Sequence, residues 1–413
     1  MSLPSTADCS ETRNGGSELS ENGSHQRLHG HILKRFILVG AYPNSVSTFR
    51  GDLIRDVIDA GSQVTVMTAA APPEVHAEIE ATGALFEAYP IQRNGLNPQA
   101  DLATLRHLRR RFQELKPDVI LAYTIKPVIW GGIAARRCPD SRFFALITGL
   151  GYAFQRGSFK RNLLNAIVVR LYRFALRRAE GVIFQNSDNR DLFVEKGIVD
   201  AHKCHVVNGS GVNVSEFDIA PVFDGEPRFL LIARLLGEKG IREYAAAAET
   251  VKRQYPNATF DLVGPEDPSP DGIPSSEVDS WHQKGIINYR GATNDVRPFL
   301  KECHIYVLPS YHEGLPRTVL EAMAMGRPIL TTDVTGCRET VKPGVNGWLV
   351  PKADADALAE KMIWFIQNRE QWSMMGSESR KIAEDRFDVK KVNAEMLRIM
   401  GIGQAEGKGA RVD

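Results

Sequence analysis

From Arg35 onward, short runs of apolar, β-branched and aromatic residues alternate with longer stretches whose apolar positions recur at helical spacing. "RFILVG", "QVTVMT", "DVILAY", "RFFALIT" and "GVIFQN" are each followed by such a stretch. A nearly continuous apolar strand is one buried on both faces, and parallel strands need a crossover connection, usually a helix. The alternation therefore predicts a parallel, doubly wound sheet. It stops at residues 208–226, "NGSGVNVSEFDIAPVFDGE", a turn-rich stretch without a period that reads as a linker. A second series then runs through "RFLLIA", "TFDLVG", "IINYRG", "HIYVLPS" and "RPILTTD". The pattern predicts an α/β protein of two Rossmann-like doubly wound parallel-sheet domains, 31–207 and 227–387, facing across a cleft, with a last helix at 388–400. Ligands of such sheets bind beyond the carboxyl ends of the strands, so the functional residues are expected in strand-end loops.

The ends of the chain look different. Residues 1–30 are rich in Ser, Gly, Asn and Glu without an apolar core segment, and read as a disordered leader rather than a signal peptide. The Gly-rich segment 401–413 reads as a flexible tail. No run of about 18 apolar residues predicts a membrane span. A formal charge of +1 gives no electrostatic reason to expect nucleic acid as a partner. The five cysteines are odd in number and show no CxxC pairing, which argues against a disulfide framework or a zinc site and for a reducing cytoplasm.

Ser158 to Arg178, "SFKRNLLNAIVVRLYRFALRR", places Leu163, Leu164, Ile167, Val168, Leu171 and Ala175 on one helical stripe and Arg170, Arg173 and Arg177 on another. Two readings fit: an interfacial helix on anionic lipid, or a helix packed on its sheet with a solvated arginine face.

The chemistry concentrates in the second half. In "YHEGLPRTVLEAMAMGRPILTTD", Glu313 follows the strand "IYVLPS" and precedes a helix that Pro316 suits at its start and Gly326 at its end. Glu321 lies further along that helix. Two carboxylates around a helix N-terminus, which attracts anions, suit a ligand with hydroxylated groups on either side of a diphosphate, as in a nucleotide-sugar. A capping glutamate plus a solvated one would give the same spacing. "ARLLGEKG" adds Arg234 and Lys239 around a turn after the first strand of the second half, where fixed cations would meet a diphosphate. No DxD-like acidic cluster suggests a metal site.

With "IARLLGEKG", the run "YRGATNDVRPFLKECHIYVLPSYHEGLPRTVLEAMAMGRPILTTDVTGCRETV" and "GVNGWLVP", the chain resembles glycosyltransferase family 4, retaining enzymes of GT-B fold, over nearly all of Arg35 to Gly401. The resemblance implies that Arg234 and Lys239 hold the donor diphosphate, Glu313 the transferred sugar and Glu321 the ribose. It implies that amides around Gly314, Thr318 and Val319 cap the phosphates, and it puts Arg290 on the donor side. The first half, through "AYTIKPVIWGGIAAR" and "RFFALITGLGYAF", is similar to the subgroup that builds capsule, exopolysaccharide, O-antigen and lipid-linked oligosaccharides in bacteria. Many of those relatives carry a histidine where this chain has Thr148, which offers only a neutral hydroxyl. Lys126 and Arg50 follow predicted strand ends and face either acceptor phosphate or solvent. The implied activity moves a hexose or N-acetylhexosamine from a nucleotide diphosphate sugar, a UDP-sugar first, to a lipid-linked saccharide, without metal or cofactor, on the inner face of the plasma membrane. A UDP-sugar 2-epimerase-like isomerase and a non-catalytic nucleotide-sugar-binding subunit are the rival expectations.

Overall fold

In the computed structural model, which describes residues 34–92, 97–150, 154 and 159–403, the chain folds around two parallel sheets. The leader 1–30 and all but the first three residues of the tail 401–413 lie outside the described residues. The first sheet comprises β1 (Lys34–Val39), β2 (Ser62–Thr68), β3 (Leu85–Ala88), β4 (Val119–Tyr123), β5 (Arg142–Ile147), β6 (Gly181–Phe184) and β7 (Cys204–Val206), in the order β3-β2-β1-β4-β5-β6-β7. The second comprises β8 (Arg228–Ile232), β9 (Thr259–Val263), β10 (Asn288–Tyr289), β11 (Ile305–Leu308), β12 (Ile329–Thr332) and β13 (Gly347–Val350), in the order β10-β9-β8-β11-β12-β13. Chain order reverses between β1 and β4 in one sheet and between β8 and β11 in the other, and the crevice of a doubly wound sheet lies at such a reversal.

Side chains alternate across each strand and both sheet faces are covered. In β1, Ile37 and Val39 pack with Ile120 and Ala122 on one face, while Phe36 and Leu38 pack with Val119 and Leu121 on the other. The second sheet likewise buries Phe229 and Leu231 on one face and Leu230 and Ile232 on the other.

The helix Val389–Met400 leaves the half that precedes it in sequence. Its Val392, Met396 and Met400 are buried in the first-sheet cluster with Phe36 and Leu38, and Asn393 Nδ2 donates to Asp56 Oδ2 at 2.7 Å. Outgoing and returning chains meet at Val212, whose N–H donates to the Phe387 carbonyl (2.8 Å) and whose carbonyl accepts from Val389 N–H (3.0 Å).

The helix Phe159–Leu176 divides the expected apolar stripe in two. Val168 and Ala175 are buried against the first core, together with Val169, Tyr172 and Leu176, whereas Leu163, Ile167 and Phe174 stand about half exposed. Of the three arginines assigned to a lipid face, Arg173 is turned back on the protein: its Nε donates to the Gly197 carbonyl at 2.9 Å and Nη2 to that of Lys196. Ser158 lies outside the described residues, as do the side chains of residues 159–161.

His304 ties the linker to the second sheet. Its Nδ1 accepts from the Arg228 N–H (3.1 Å), its Nε2 lies 3.0 Å from the Phe223 carbonyl, and its ring sits between Phe223 and Trp372. Burial is the main reason its pKa falls to about 4, with Arg327, Arg228 and Arg369 acting in the same direction and the bond to Phe223 opposing. The native state therefore keeps this ring neutral where the unfolded chain, near pH 6.5, would protonate it. Stability from this group is complete above pH 6.5 and declines as pH falls toward 4, by about 3 kcal/mol in all. Urea denaturation across that window should show parent stability falling more steeply than that of His304→Gln; equal slopes would show that the ring is not kept neutral by the fold.

Candidate active site at the carboxyl ends of the sheets

The loop after β8 is pressed onto the segment after β11. A short 3-10 turn, Gly237–Lys239, ends at Gly240 with φ of 70°, and a Cβ there would lie 2.1 Å from the Pro309 carbonyl. Only glycine accepts both the left-handed backbone and the close approach. The Glu238 carbonyl then accepts from Tyr311 N–H at 2.8 Å and from Ser310 Oγ at 3.3 Å.

This docking brings Lys239 Nζ to 2.5 Å from Glu313 Oε1, and Ser310 Oγ donates to the same oxygen at 2.7 Å. The pair is largely shielded, at 16% and 15% side-chain exposure, so solvent screens it less than a surface pair. Arg234, about half exposed, is ion-paired with Asp267. Burial acts to raise the Asp267 carboxyl, but hydrogen bonds from Ser269 and the Arg234 charge bring it net below the usual range. Glu321, on the helix Arg317–Ala324, is buried and meets Arg317 Nε at 2.8 Å; burial raises its pKa despite that arginine. Thr318 is fixed through its hydroxyl, 2.6 Å from Tyr306 OH.

The first half closes over this loop. Asn186 Nδ2, beyond β6, donates to the Gly314 carbonyl at 2.5 Å. A Cβ on Gly314 would come within 2.1 Å of the Thr148 carbonyl and 3.0 Å of Gln185 Oε1. Asp188 completes the seam, accepting from Thr335 Oγ1 at 2.8 Å and from Arg338 Nη1 at 3.1 Å. The structure thus gathers Lys239, Glu313, Gly314 and Thr148 at one place, with Arg234 on the loop that carries Lys239 and with Glu321 and Thr318 on the helix that follows Gly314.

Other expected residues are placed elsewhere or already engaged. Arg290 lies over the Phe299 ring with nitrogens 3.7 Å from Asp261 and 3.6 Å from Glu302, and is not in the Lys239–Glu313 group. The Val319 N–H donates to the Pro316 carbonyl at 3.1 Å, so it could cap a phosphate only by leaving that bond. Lys126 is paired with Asp101 at 2.9 Å, both side chains 14% exposed. Arg50 lies inside the helix Asn44–Asp59, not in a strand-end loop, and is 5% exposed.

Ser310, Arg317, Gln185, Asn186 and Asp188 also line this place, without a motif that singles them out in the sequence. So does His312, a half-buried ring whose Nε2 has no hydrogen-bond partner among the described residues. Asn186 was open to detection, because it ends the strand "GVIFQN" and caps the next helix by accepting from Asn189 N–H. Two cavities flank the group: one of about 480 Å³ beside Asp267 and Ser269, and one of about 730 Å³ lined in part by His312, Thr335, Arg338 and Lys352. Among the described residues no three His, Cys, Asp or Glu side chains cluster as metal ligands.

Comparison with solved structures places this architecture in the GT-B class. The Anabaena Alr3699/HepE structure, solved in complex with UDP and glucose, superposes with a TM-score of 0.72 at 20% identity, over 89% of this chain and 99% of that one. Residues 226–368 match the family described as glycosyl transferases group 1, and residues 46–209 match the glycosyl transferase 4-like domain. The chain belongs to glycosyltransferase family 4 and is a glycosyltransferase. Among curated relatives, the Campylobacter jejuni N,N'-diacetylbacillosaminyl-diphospho-undecaprenol alpha-1,3-N-acetylgalactosaminyltransferase is 29% identical over 78% of this chain and 87% of its own length. The Escherichia coli UDP-Gal:alpha-D-GlcNAc-diphosphoundecaprenol alpha-1,3-galactosyltransferase is 26% identical over 64% of this chain and 70% of its own.

Two variants test the geometry. Gly314→Ala should keep the fold of each half but lower turnover at least tenfold, because its methyl group overlaps the Thr148 carbonyl; parent-like turnover would show that the halves need not meet there. In Glu313→Gln, Lys239 loses a competing carboxylate, so UDP affinity measured by calorimetry should hold or tighten while single-turnover rate falls.

Proposed function

We propose that this chain transfers a hexose or N-acetylhexosamine from a nucleotide diphosphate sugar, a UDP-sugar first, to a saccharide carried on a polyprenyl diphosphate, with retention of configuration. The observation that carries the reading is the Lys239–Glu313–Ser310 group, held at the reversal point of the second sheet against the first-half strand end at Thr148. A cation poised beside a carboxylate can leave it for a diphosphate, while the freed carboxylate accepts from sugar hydroxyls. Arg234 would join Lys239 on the leaving diphosphate, and Glu321 would take ribose hydroxyls when Arg317 moves aside. In this reading fixed cations neutralise the departing charge without a metal. The lipid acceptor is suggested by relatives whose printed names specify undecaprenol-diphosphate-linked sugars.

Such an acceptor lies in a membrane. Among the described residues no helix is long and apolar enough to cross one. The exposed Leu163, Ile167 and Phe174, beside Arg170 and Arg177, suit contact with an anionic surface, and the reading places the enzyme on the inner face of the plasma membrane.

Lys239→Met should weaken UDP binding about tenfold or more, the loss of one charge-assisted hydrogen bond of about 1.5–3 kcal/mol. Unchanged calorimetric affinity would remove the diphosphate from this loop. Transfer of labelled sugar from UDP-sugars to a polyprenyl-diphosphate-linked saccharide should persist in EDTA, whereas complete loss restored by Mg2+ would show that a metal neutralises the leaving group.

A further inference from the structure

Arg50 is a cation without a counter-ion among the described residues. It is 5% exposed, and its Nε has no hydrogen-bond partner among the described residues. Its guanidinium stands 5.4 Å from the centre of the Tyr123 ring, and the Tyr123 hydroxyl is 2.9 Å from Ser45 Oγ. Burial is the main cause that brings its pKa down to about 10; a second cation, Arg317, acts in the same direction, and Tyr123 opposes both. No carboxylate of the described residues is paired with it. A buried, unpaired charge is strongly unfavourable, and an anion arriving from outside would relieve that cost.

Arg317 comes from the other half. It begins the helix Arg317–Ala324, bonds Glu321 through Nε and lies 5.5 Å from the centre of the Phe49 ring, one residue before Arg50. Glu321 bonds Arg317 and not Arg50, and burial favours protonation of that carboxylate. The remaining positive charge sits at the reversal point of the first sheet, where Tyr123 closes β4 and the helix bearing Arg50 follows β1. The other first-half cation considered from the sequence, Lys126, is neutralised by Asp101, and Arg234 and Lys239 are paired at the reversal point of the second sheet.

We infer that Arg50 and Arg317 form a buried anion site, split between the two halves, that takes the diphosphate of the lipid-linked acceptor. Two planar guanidinium groups present paired N–H donors to phosphate oxygens, and a doubly charged ligand compensates both. In the absence of ligand the two cations repel; an acceptor diphosphate between them draws Arg317, and with it the donor-side helix, toward Arg50. This inference rests on the acceptor proposed above.

The test uses the full chain saturated with UDP, so that the donor diphosphate position is filled, and titrates inorganic diphosphate by calorimetry. The parent should bind it, and Arg50→Gln should bind at least tenfold more weakly with UDP affinity unchanged. In the transfer assay the same variant should raise the KM for a polyprenyl-diphosphate-linked saccharide at least tenfold and leave the KM for the sugar nucleotide within twofold. Removing an unpaired buried charge should leave the Tm of the ligand-free protein unchanged or higher. Parent-like diphosphate binding and acceptor KM in Arg50→Gln would overturn the site, as would a parallel loss of UDP affinity, which would give the pair to the donor. A lower Tm with unaltered acceptor KM would also overturn it, by making Arg50 structural. If the parent transfers no sugar at all, the failure lies with the proposed function, and calorimetry still reads the arginine pair.

Discussion

The two halves of this enzyme meet where the backbone at Gly314 passes beneath the Thr148 carbonyl, and the arrangement of the cleft depends on that approach. The contact requires a residue without a side chain, and the Asn186 amide then holds the Gly314 carbonyl from the first half. Glu313 is one residue away, so its carboxylate is fixed relative to both sheets at once. The glycine turn at Gly240, docked on Pro309, fixes Lys239 against the same carboxylate from the other side. Two close approaches between backbones thus set the distance between the charges, and side-chain chemistry follows from them.

Charge is distributed unevenly over this frame. Lys239, Arg234 and Lys126 each rest on a carboxylate, at Glu313, Asp267 and Asp101 respectively. A ligand that takes any of these cations must displace a partner, which makes affinity a difference between two ion pairs rather than the full strength of one. Arg50 differs, because burial has removed water from it without an anion among the described residues to replace it.

Much of the fold was legible because buried parallel strands read as continuous apolar runs: each of the five runs named in either half contains a strand of its sheet. The strands that escaped are β3, β7 and β13. Edge strands β3 and β7 are short and partly exposed, with Leu85 at 55% and Val206 at 39%, so their composition resembles the loops around them. Within the site, motif spacing places Lys239, Glu313 and Gly314 in strand-end loops, and the structure brings those loops together. The surroundings of Arg290 were not legible, because its partners Asp261 and Glu302, distant in sequence, decide where its side chain goes. The apolar stripe of the helix Phe159–Leu176 reads as one surface in the sequence but divides between core and solvent, since a 3.6-residue period says which residues share a face and not what that face meets.

The return of the helix Val389–Met400 to the first half means that the chain crosses between the halves twice, and the crossings are hydrogen-bonded to each other at Val212. A single tether would let one half swivel about any direction. Two strands joined side by side resist torsion and leave bending about one axis as the easy motion, so opening and closing would retrace a single arc. The same geometry makes the halves topologically inseparable: cutting the chain at the linker would leave the first sheet without the helix that covers Phe36 and Leu38, and the second half carrying an apolar helix with nothing to bury it.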